Sequence, residues 1–352
     1  MNRETLIRSL RATAPSSACW GPAKGHVSVA TVIAEPEKHG LKNMVVSHPA
    51  ESVTFSAPEW CSPGSEGAFC DQVPEQTADQ VATFEGCRVI GLDGLLVTRA
   101  DRLLEETLMQ PGGDFAAHPA MRSPWYGPVR RVRGNMAVIS SRFSNNYYHW
   151  LFDILPRFEM VRRAGISPDA FYLHVEGNFQ RETLAMLGIP DASLMHAKTR
   201  AQFQAERVIL PLVPGGLKGV SAWTVHHLRE KFVGSGSSQK RRLLYISRGK
   251  ARYRKVTNES DVRAFLERRG FETIFLEDLG FREQVETLAS ARAVVAAHGA
   301  GLANIVFCQA GTPVIEFFHE NYVNALYFRL ARLCGHAYAA VVSGAGEAGF
   351  AA

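Results

Sequence analysis

Leu243-Leu244-Tyr245-Ile246, Thr273-Ile274-Phe275-Leu276, Ala293-Val294-Val295-Ala296-Ala297 and Pro313-Val314-Ile315 are short apolar runs separated by helical patterns. Their length and β-branched content read as buried strands. Asn258 is expected to cap the first intervening helix, with Val262, Phe265 and Leu266 facing inward and Gly270 just past its end. A second helix runs through Val285, Leu288 and Ala289. Successive strand-to-helix crossings of this kind predict a parallel sheet covered by helices, a Rossmann-like half.

Within it, Ala293 to Ile315 contains no Asp, Glu, Lys or Arg. Its length alone matches a membrane span. Gly299, Gly301, Asn304, Gln309, Gly311 and Pro313 interrupt it, however, so strand, short helix and strand explain it better.

Upstream, Phe232 to Gln239 carries Gly234, Ser235, Gly236, Ser237 and Ser238, a flexible spacer expected at a loop or domain joint. Before it, Met136–Ile139, Phe171–Val175 and Arg207–Leu210 read as strands. Tyr148 to Arg163 reads as a helix with Leu151, Leu155, Phe158 and Val161 on its apolar face, and Arg181 to Leu187 is also helical. This is again an alternating βα pattern. The first hundred residues are less regular. Val27–Ile33 and Arg88–Leu92 look like strands and Cys61 to Gln80 like a loop; no chemistry is assigned there.

The chain has 352 residues, 46% of them hydrophobic and 21% charged, which excludes a disordered or collagen-like protein. A net charge of +5 leans mildly towards an anionic partner. Cys19, Cys61, Cys70, Cys87, Cys308 and Cys334 form no Cys-x-x-Cys pair, so no zinc site is expected and the thiols read as reduced, in a cytosolic protein. Met1 to Pro22 carries Arg3, Arg8 and Arg11 without an apolar core, and no signal peptide is expected.

Three constellations carry candidate chemistry. His298-Gly299-Ala300-Gly301-Leu302-Ala303-Asn304 follows a buried strand and opens a short helix, where ligands bind in open α/β sheets. Gly299 and Gly301 would let a phosphate approach the backbone; a tight turn with a satisfied histidine is the plainer alternative. Second, a basic run from Lys240 to Lys255 contains no acidic residue. Arg248 closes its strand at the sheet edge that His298 shares, and a guanidinium fork suits phosphate. Lys240, Arg241 and Lys250 read as solvated. Tyr253 alone supplies a stacking ring, so no nucleic-acid partner is expected. Third, His149 and Asp153 stand four apart in Asn146-Tyr147-Tyr148-His149-Trp150-Leu151-Phe152-Asp153 and share one helix face. A carboxylate there can orient an imidazole as general base, although structural His–Asp pairs are common.

These segments in this order resemble glycosyltransferase family 61. The resemblance rests on Asn146 to Arg157, on Tyr245-Ile246-Ser247-Arg248 with Arg254, on Asn258-Glu259, on Phe281 and Gln284, and on His298 to Asn304 followed by Val314-Ile315-Glu316. It implies an α/β fold of GT-B type: two Rossmann-like domains facing a cleft, with an irregular β-containing N-terminal segment. Residues 1–230 would form the acceptor-side domain, with 1–100 poorly defined. Residues 231–340 would form the donor domain and 341–352 a tail. It implies an inverting transfer with no cofactor and no metal site, from a UDP-linked donor to a lipid-linked carbohydrate acceptor in polysaccharide synthesis. The setting would be cytoplasmic, at most at the inner face of the plasma membrane. The chain contains no Asp-x-Asp, the pattern that holds a metal on the donor diphosphate in GT-A enzymes. His149 would be the base, with Asp153 the alternative. Arg248 and Arg254, with His298, Gly299, Ala300 and Gly301, would hold the diphosphate. Glu316 would accept from a ribose hydroxyl, and Asn304, grouped with that donor site, would tie the glycine turn. The alternatives are a hydrolase, which lacks a nucleophile motif, and a non-catalytic nucleotide-sugar or nucleic-acid binder.

Overall fold

The apolar runs of the carboxyl-terminal half lie side by side as parallel strands, in the order Phe271–Ile274, Arg242–Ile246, Ala291–Ala297, Val314–His319, Tyr338–Ser343 and Trp60–Cys61. The computed structural model describes residues 19–20, 23–50, 55, 57–69, 78–109, 115, 118, 120, 125–212, 220–234, 239, 241–251, 254–343 and 350–351. It divides into two compact units. One comprises Met1–Ala50, Thr77–Gly177 and Ile189–Leu217; the other comprises Glu51–Gln76, Asn178–Gly188 and Lys218–Ala352. Both mix helices with parallel strands, so the fold is α/β. The second unit therefore draws material from before residue 231 in three places.

In the second unit, the helices Glu259–Glu267 and Phe281–Ala289 and the 3₁₀ helix Ala300–Phe307 connect successive strands. The apolar stretch 293–315 is thus strand, short helix and strand, as its glycines imply. No described helix is long and apolar enough to cross a membrane. Segment 57–69 joins this unit because Glu59 accepts from the backbone N–H of Tyr338 at 2.7 Å and from Arg332 at 2.7 Å. Phe69 then packs on Phe318, Phe328 and Tyr338. The stretch expected as loop from Cys61 so contributes a strand end and a 3₁₀ turn, Glu66–Phe69. At the other end, residues 341–343 complete a sheet strand, and Phe350–Ala351 pairs with Lys255–Val256.

The first unit is built on parallel strands Leu194–His196, Ala170–Leu173, Val129–Val138 and Gln202–Leu212. Antiparallel strands Asp79–Phe84 and Arg88–Ile90 extend it from Gln202–Leu212. Its core gathers Phe84, Leu96, Met136, Val138, Tyr172, Val208 and Leu210. The crossover from Val129–Val138 to Ala170–Leu173 is the helical stretch Tyr147 to Arg163.

Three local expectations are corrected. Val27–Ile33 is not a strand: after His26–Val27, Ser28 accepts from the N–H of Thr31 and caps a helix, Val29–Ala34. Phe265 does not face inward; it is 48% exposed, and Arg269 lies over its ring at 3.5 Å. Asn258 occupies the N-cap position but its side chain makes no capping bond; its backbone carbonyl accepts from Asp261 and Val262 instead. Among the described residues, Cys61, Cys87, Cys308 and Cys334 form no disulfide. The spacer positions 235–238, Lys240, Tyr253 and Cys70 lie outside the described residues.

Candidate functional site

Counted along the chain from Arg242–Ile246 to Tyr338–Ser343, the second unit's strands stand in the spatial order two, one, three, four, five. Strands one and three are neighbours, yet the chain leaves them towards opposite edges. In open α/β sheets such a switch point opens a crevice beyond the strand ends, where ligands bind. Ile246 pairs with Ala296, so Arg248 and His298 emerge together at that crevice.

Arg248 is fixed from two sides. Its backbone N–H donates to Glu259 at 3.1 Å, and its Nε donates to the carbonyl of Arg254 at 3.1 Å. Glu259 also accepts from Ser247 at 2.6 Å and Tyr245 at 3.1 Å, so a single carboxylate organises the strand end. The guanidinium lies over Gly299, where a Cβ would stand 1.6 Å from Nη1. Burial, and then the charge of Arg254, make Arg248 less basic than usual. Arg254 adopts a left-handed conformation with φ 56° and lies 5.1 Å over the half-exposed ring of Tyr322. Two cations held together in this way favour an anionic ligand.

His298 is buried, with Nδ1 2.5 Å from Glu316. Its Nε2 is 3.3 Å from the amide of Asn324, and its ring stacks on Phe318. Glu316 is 0% exposed, and its second oxygen accepts from the Tyr338 hydroxyl. Burial pushes its carboxyl above the usual range, opposed by the hydrogen bond and charge of His298, the Tyr338 hydroxyl and Arg254. Glu316 stands mid-strand, not at the strand's end, and both oxygens are engaged. The oxygens expected to face a ribose are thus turned to His298 and Tyr338 in this structure.

The glycine turn divides its labour. Gly299 accommodates Arg248, while the space beside Gly301 is filled by Leu276 and Ile246, at 3.1 and 3.5 Å from a Cβ built there. Ala300 and Gly301 begin the 3₁₀ helix. Asn304 is 0% exposed and donates to the carbonyl of Gly301 and the side chain of Gln284, at 3.2 and 3.1 Å. Gln284 donates onward to the carbonyls of Leu276 and Leu279. Asn304 thus ties the turn to the facing loop.

The first unit holds the other constellation. Asn146 caps the crossover helix by accepting from the N–H groups of Tyr148 and His149 at 3.0 and 3.3 Å. One turn later, Trp150–Ile154 widens into a π-helix. Pro156 explains the widening, since its ring cannot fit against the carbonyl four residues back. His149 Nδ1 meets Asp153 at 2.5 Å, and the imidazole stacks on Phe143 at 4.6 Å. Asp153 is 5% exposed, and burial pushes its carboxyl up, opposed by His149 and Arg157. Arg157 donates to the carbonyls of Asp153, Ser140 and Ile139 at 3.0, 3.0 and 3.3 Å. Its burial lowers its pKa to about 10. His149 Nε2 makes no hydrogen bond to a described residue.

The sequence pattern paired His149 with Asp153 and put Arg248 beside His298. It missed Tyr338, Asn324, Tyr322 and the bracing role of Glu259. The pairing of Val314 with Tyr338, which puts Tyr338 beside the Glu316 strand, comes from a strand not read from the sequence.

Residues 147–315 match the family model described as Glycosyltransferase 61. This region belongs to glycosyltransferase family 61. The match implies glycosyltransferase activity, with a donor sugar and a glycan acceptor. The family 61 region begins at the helix of His149 and ends one residue before Glu316, so it takes in Arg248, Arg254 and the glycine turn. Glu316, Asn324 and Tyr338 lie just beyond it. A search of curated proteins gave no match.

Proposed function

We propose that the chain is an inverting, metal-independent glycosyltransferase of GT-B type. It moves a sugar from a nucleotide-linked donor, UDP-linked in this reading, to a lipid-linked glycan acceptor in capsular, exo- or lipopolysaccharide synthesis. The setting is cytoplasmic, at the inner face of the plasma membrane. The second unit is the donor side and the first the acceptor side. The observation that carries this reading is the pair Arg248 and Arg254 at the sheet's switch point, with Gly299 bare beneath the first guanidinium.

Inversion is a single in-line displacement. The acceptor hydroxyl loses its proton to His149 Nε2, its oxygen bonds to the anomeric carbon, and the bond from that carbon to the diphosphate oxygen breaks. The imidazolium is stabilised by Asp153 at Nδ1. The diphosphate's charge is taken up by Arg248 and Arg254, assisted by the N–H groups at Ala300 and Gly301. His298, oriented by Glu316, lies next to them. The exposed ring of Tyr322 is available to the nucleoside. Asp153 is the less suitable base, being more deeply buried than His149 and already engaged by it.

The test is a panel of nucleotide sugars followed by thermal unfolding. A donor should raise the melting temperature, since a ligand that binds the folded chain stabilises it. No protection by any nucleoside diphosphate or its sugars overturns the reading.

A further inference from the structure

The first unit contains a cavity of about 410 Å³ that the mechanism above leaves unused. Small-molecule pockets span roughly 300–1,000 Å³, so it is large enough for a ring-sized ligand. Ala30 and the 51%-exposed Ile33, on the helix Val29–Ala34, stand at its mouth. Leu210, Pro211 and Leu212 form an apolar wall. Asp93, Glu106, Ser140, Ser141 and Arg157 give it a polar side.

The capacity of those polar groups decides what fits. Arg157 donates to three carbonyls already, so it offers little to an anion. Ser140 donates to the carbonyl of Leu92 at 2.5 Å. Glu106 accepts from the N–H of Val29 at 2.8 Å, and its own backbone N–H also bears on the carboxylate. Asp93 makes no hydrogen bond to a described residue. What stands open is acceptor capacity on two carboxylates, with the Ser141 hydroxyl and the Gln80 amide beside them. Both are pushed up by burial, which Arg142 and then His174 oppose at Asp93, and the Val29 N–H first at Glu106. A ligand must therefore bring hydrogen-bond donors and no negative charge, and present an apolar face to the leucines. A sugar ring has this character, with hydroxyls around its edge and C–H groups across its face.

The cavity is also coupled to the catalytic helix. Arg157 lines it and bonds to the carbonyl of Asp153, whose side chain holds His149. The geometry points to this cavity as a site for an uncharged, hydroxyl-bearing sugar unit of the acceptor glycan, with Asp93 and Glu106 accepting from its hydroxyls. This rests on the transferase reading.

Saturation-transfer NMR on the full chain tests it, with methyl glycosides of neutral hexoses, N-acetylhexosamines and hexuronic acids as probes. At least one uncharged glycoside should receive saturation, and the hexuronides should not. Ala30→Trp, at an exposed position of the mouth, should abolish the signal. Asp93→Asn should weaken binding about tenfold or more, the scale of a hydrogen bond to a charged group. Far-ultraviolet circular dichroism checks that each variant folds, and Asp93→Asn stands as the test should Ala30→Trp fail to fold. No saturation of any uncharged glycoside, equal saturation of the hexuronides, or affinity unchanged in a folded variant overturns the proposal. Calorimetry with a nucleoside diphosphate on the same samples keeps the two readings apart. Its failure sinks the transferase mechanism, whereas sugar binding without effect of the cavity variants sinks only this site.

Discussion

Arg248 and Gly299 exclude any side chain from the space between them: a Cβ on the glycine would stand 1.6 Å from Nη1 of the arginine. Gly299 has φ 170°, an extended conformation open to any residue, so the backbone itself does not demand glycine. The guanidinium does. Gly299→Ala should displace Arg248 and weaken binding of a nucleoside diphosphate much as Arg248→Ala does. Arg248→Ala should cost about 1.5–3 kcal/mol, the range for hydrogen bonds to charged groups. Because one change acts through the other, the double variant should be little worse than Arg248→Ala alone. Arg248→Lys should recover only part, since an ammonium has no fork. Calorimetry measures all four, and full additivity would mean that the two residues act independently.

Asn304 makes a different prediction. It is fully buried and donates to Gly301 and Gln284. Asn304→Ala strands two acceptors and should cost about 1–3 kcal/mol of stability. Urea unfolding reads that loss. Nucleotide affinity should change less than in Arg248→Ala; the reverse order would make Asn304 a ligand contact.

Much of the second unit was legible because buried parallel strands read as unbroken apolar runs, and Ala293–Ala297 and Leu243–Ile246 announce themselves. The His149–Asp153 pair was legible because helical spacing alone puts the two on one face. Tyr338 and Glu59 were not: their meeting depends on which strands become neighbours across a long stretch of chain, and no local pattern encodes that. Val29–Ala34 misled because a β-branched run favours strand until a single cap, Ser28, redirects it. The partners of Glu316 were not legible either, since only the structure shows Tyr338 and His298 occupying its oxygens.

The burial of Glu316 has a sign. Its carboxyl is raised above 4.5 in the folded chain, so the folded state holds that proton more tightly than the unfolded state. Its contribution is most favourable below pH 4.5 and is lost as pH rises through the raised folded value. Glu316→Gln removes this titration while keeping an acceptor for His298. The variant's stability relative to wild type should therefore improve from pH 4.5 upward and level off once the pH has passed the raised folded value, measured as the difference in urea midpoints. A flat difference would show that His298 and Tyr338 fully offset the burial.

In the proposed mechanism Arg248 and Arg254 neutralise the leaving diphosphate in place of a metal ion. Transfer should proceed at an unchanged rate in excess chelator. Loss of activity that manganese restores would show that the guanidiniums are not enough.

The last prediction separates the base from the residue that orients it. His149→Ala should lower turnover about a hundredfold or more, the usual loss for a general base, and leave nucleotide affinity nearly intact, because His149 belongs to the acceptor side in this reading. Asp153→Asn keeps an oxygen that can accept from His149 Nδ1–H, so the ring would stay in place with weaker support for its positive form. Its loss should be the milder of the two. Were Asp153 the base, the order would reverse, because an amide cannot take the proton. Single-turnover rates on both folded variants decide the order, and wild-type rates in both would return the helix to a purely structural role.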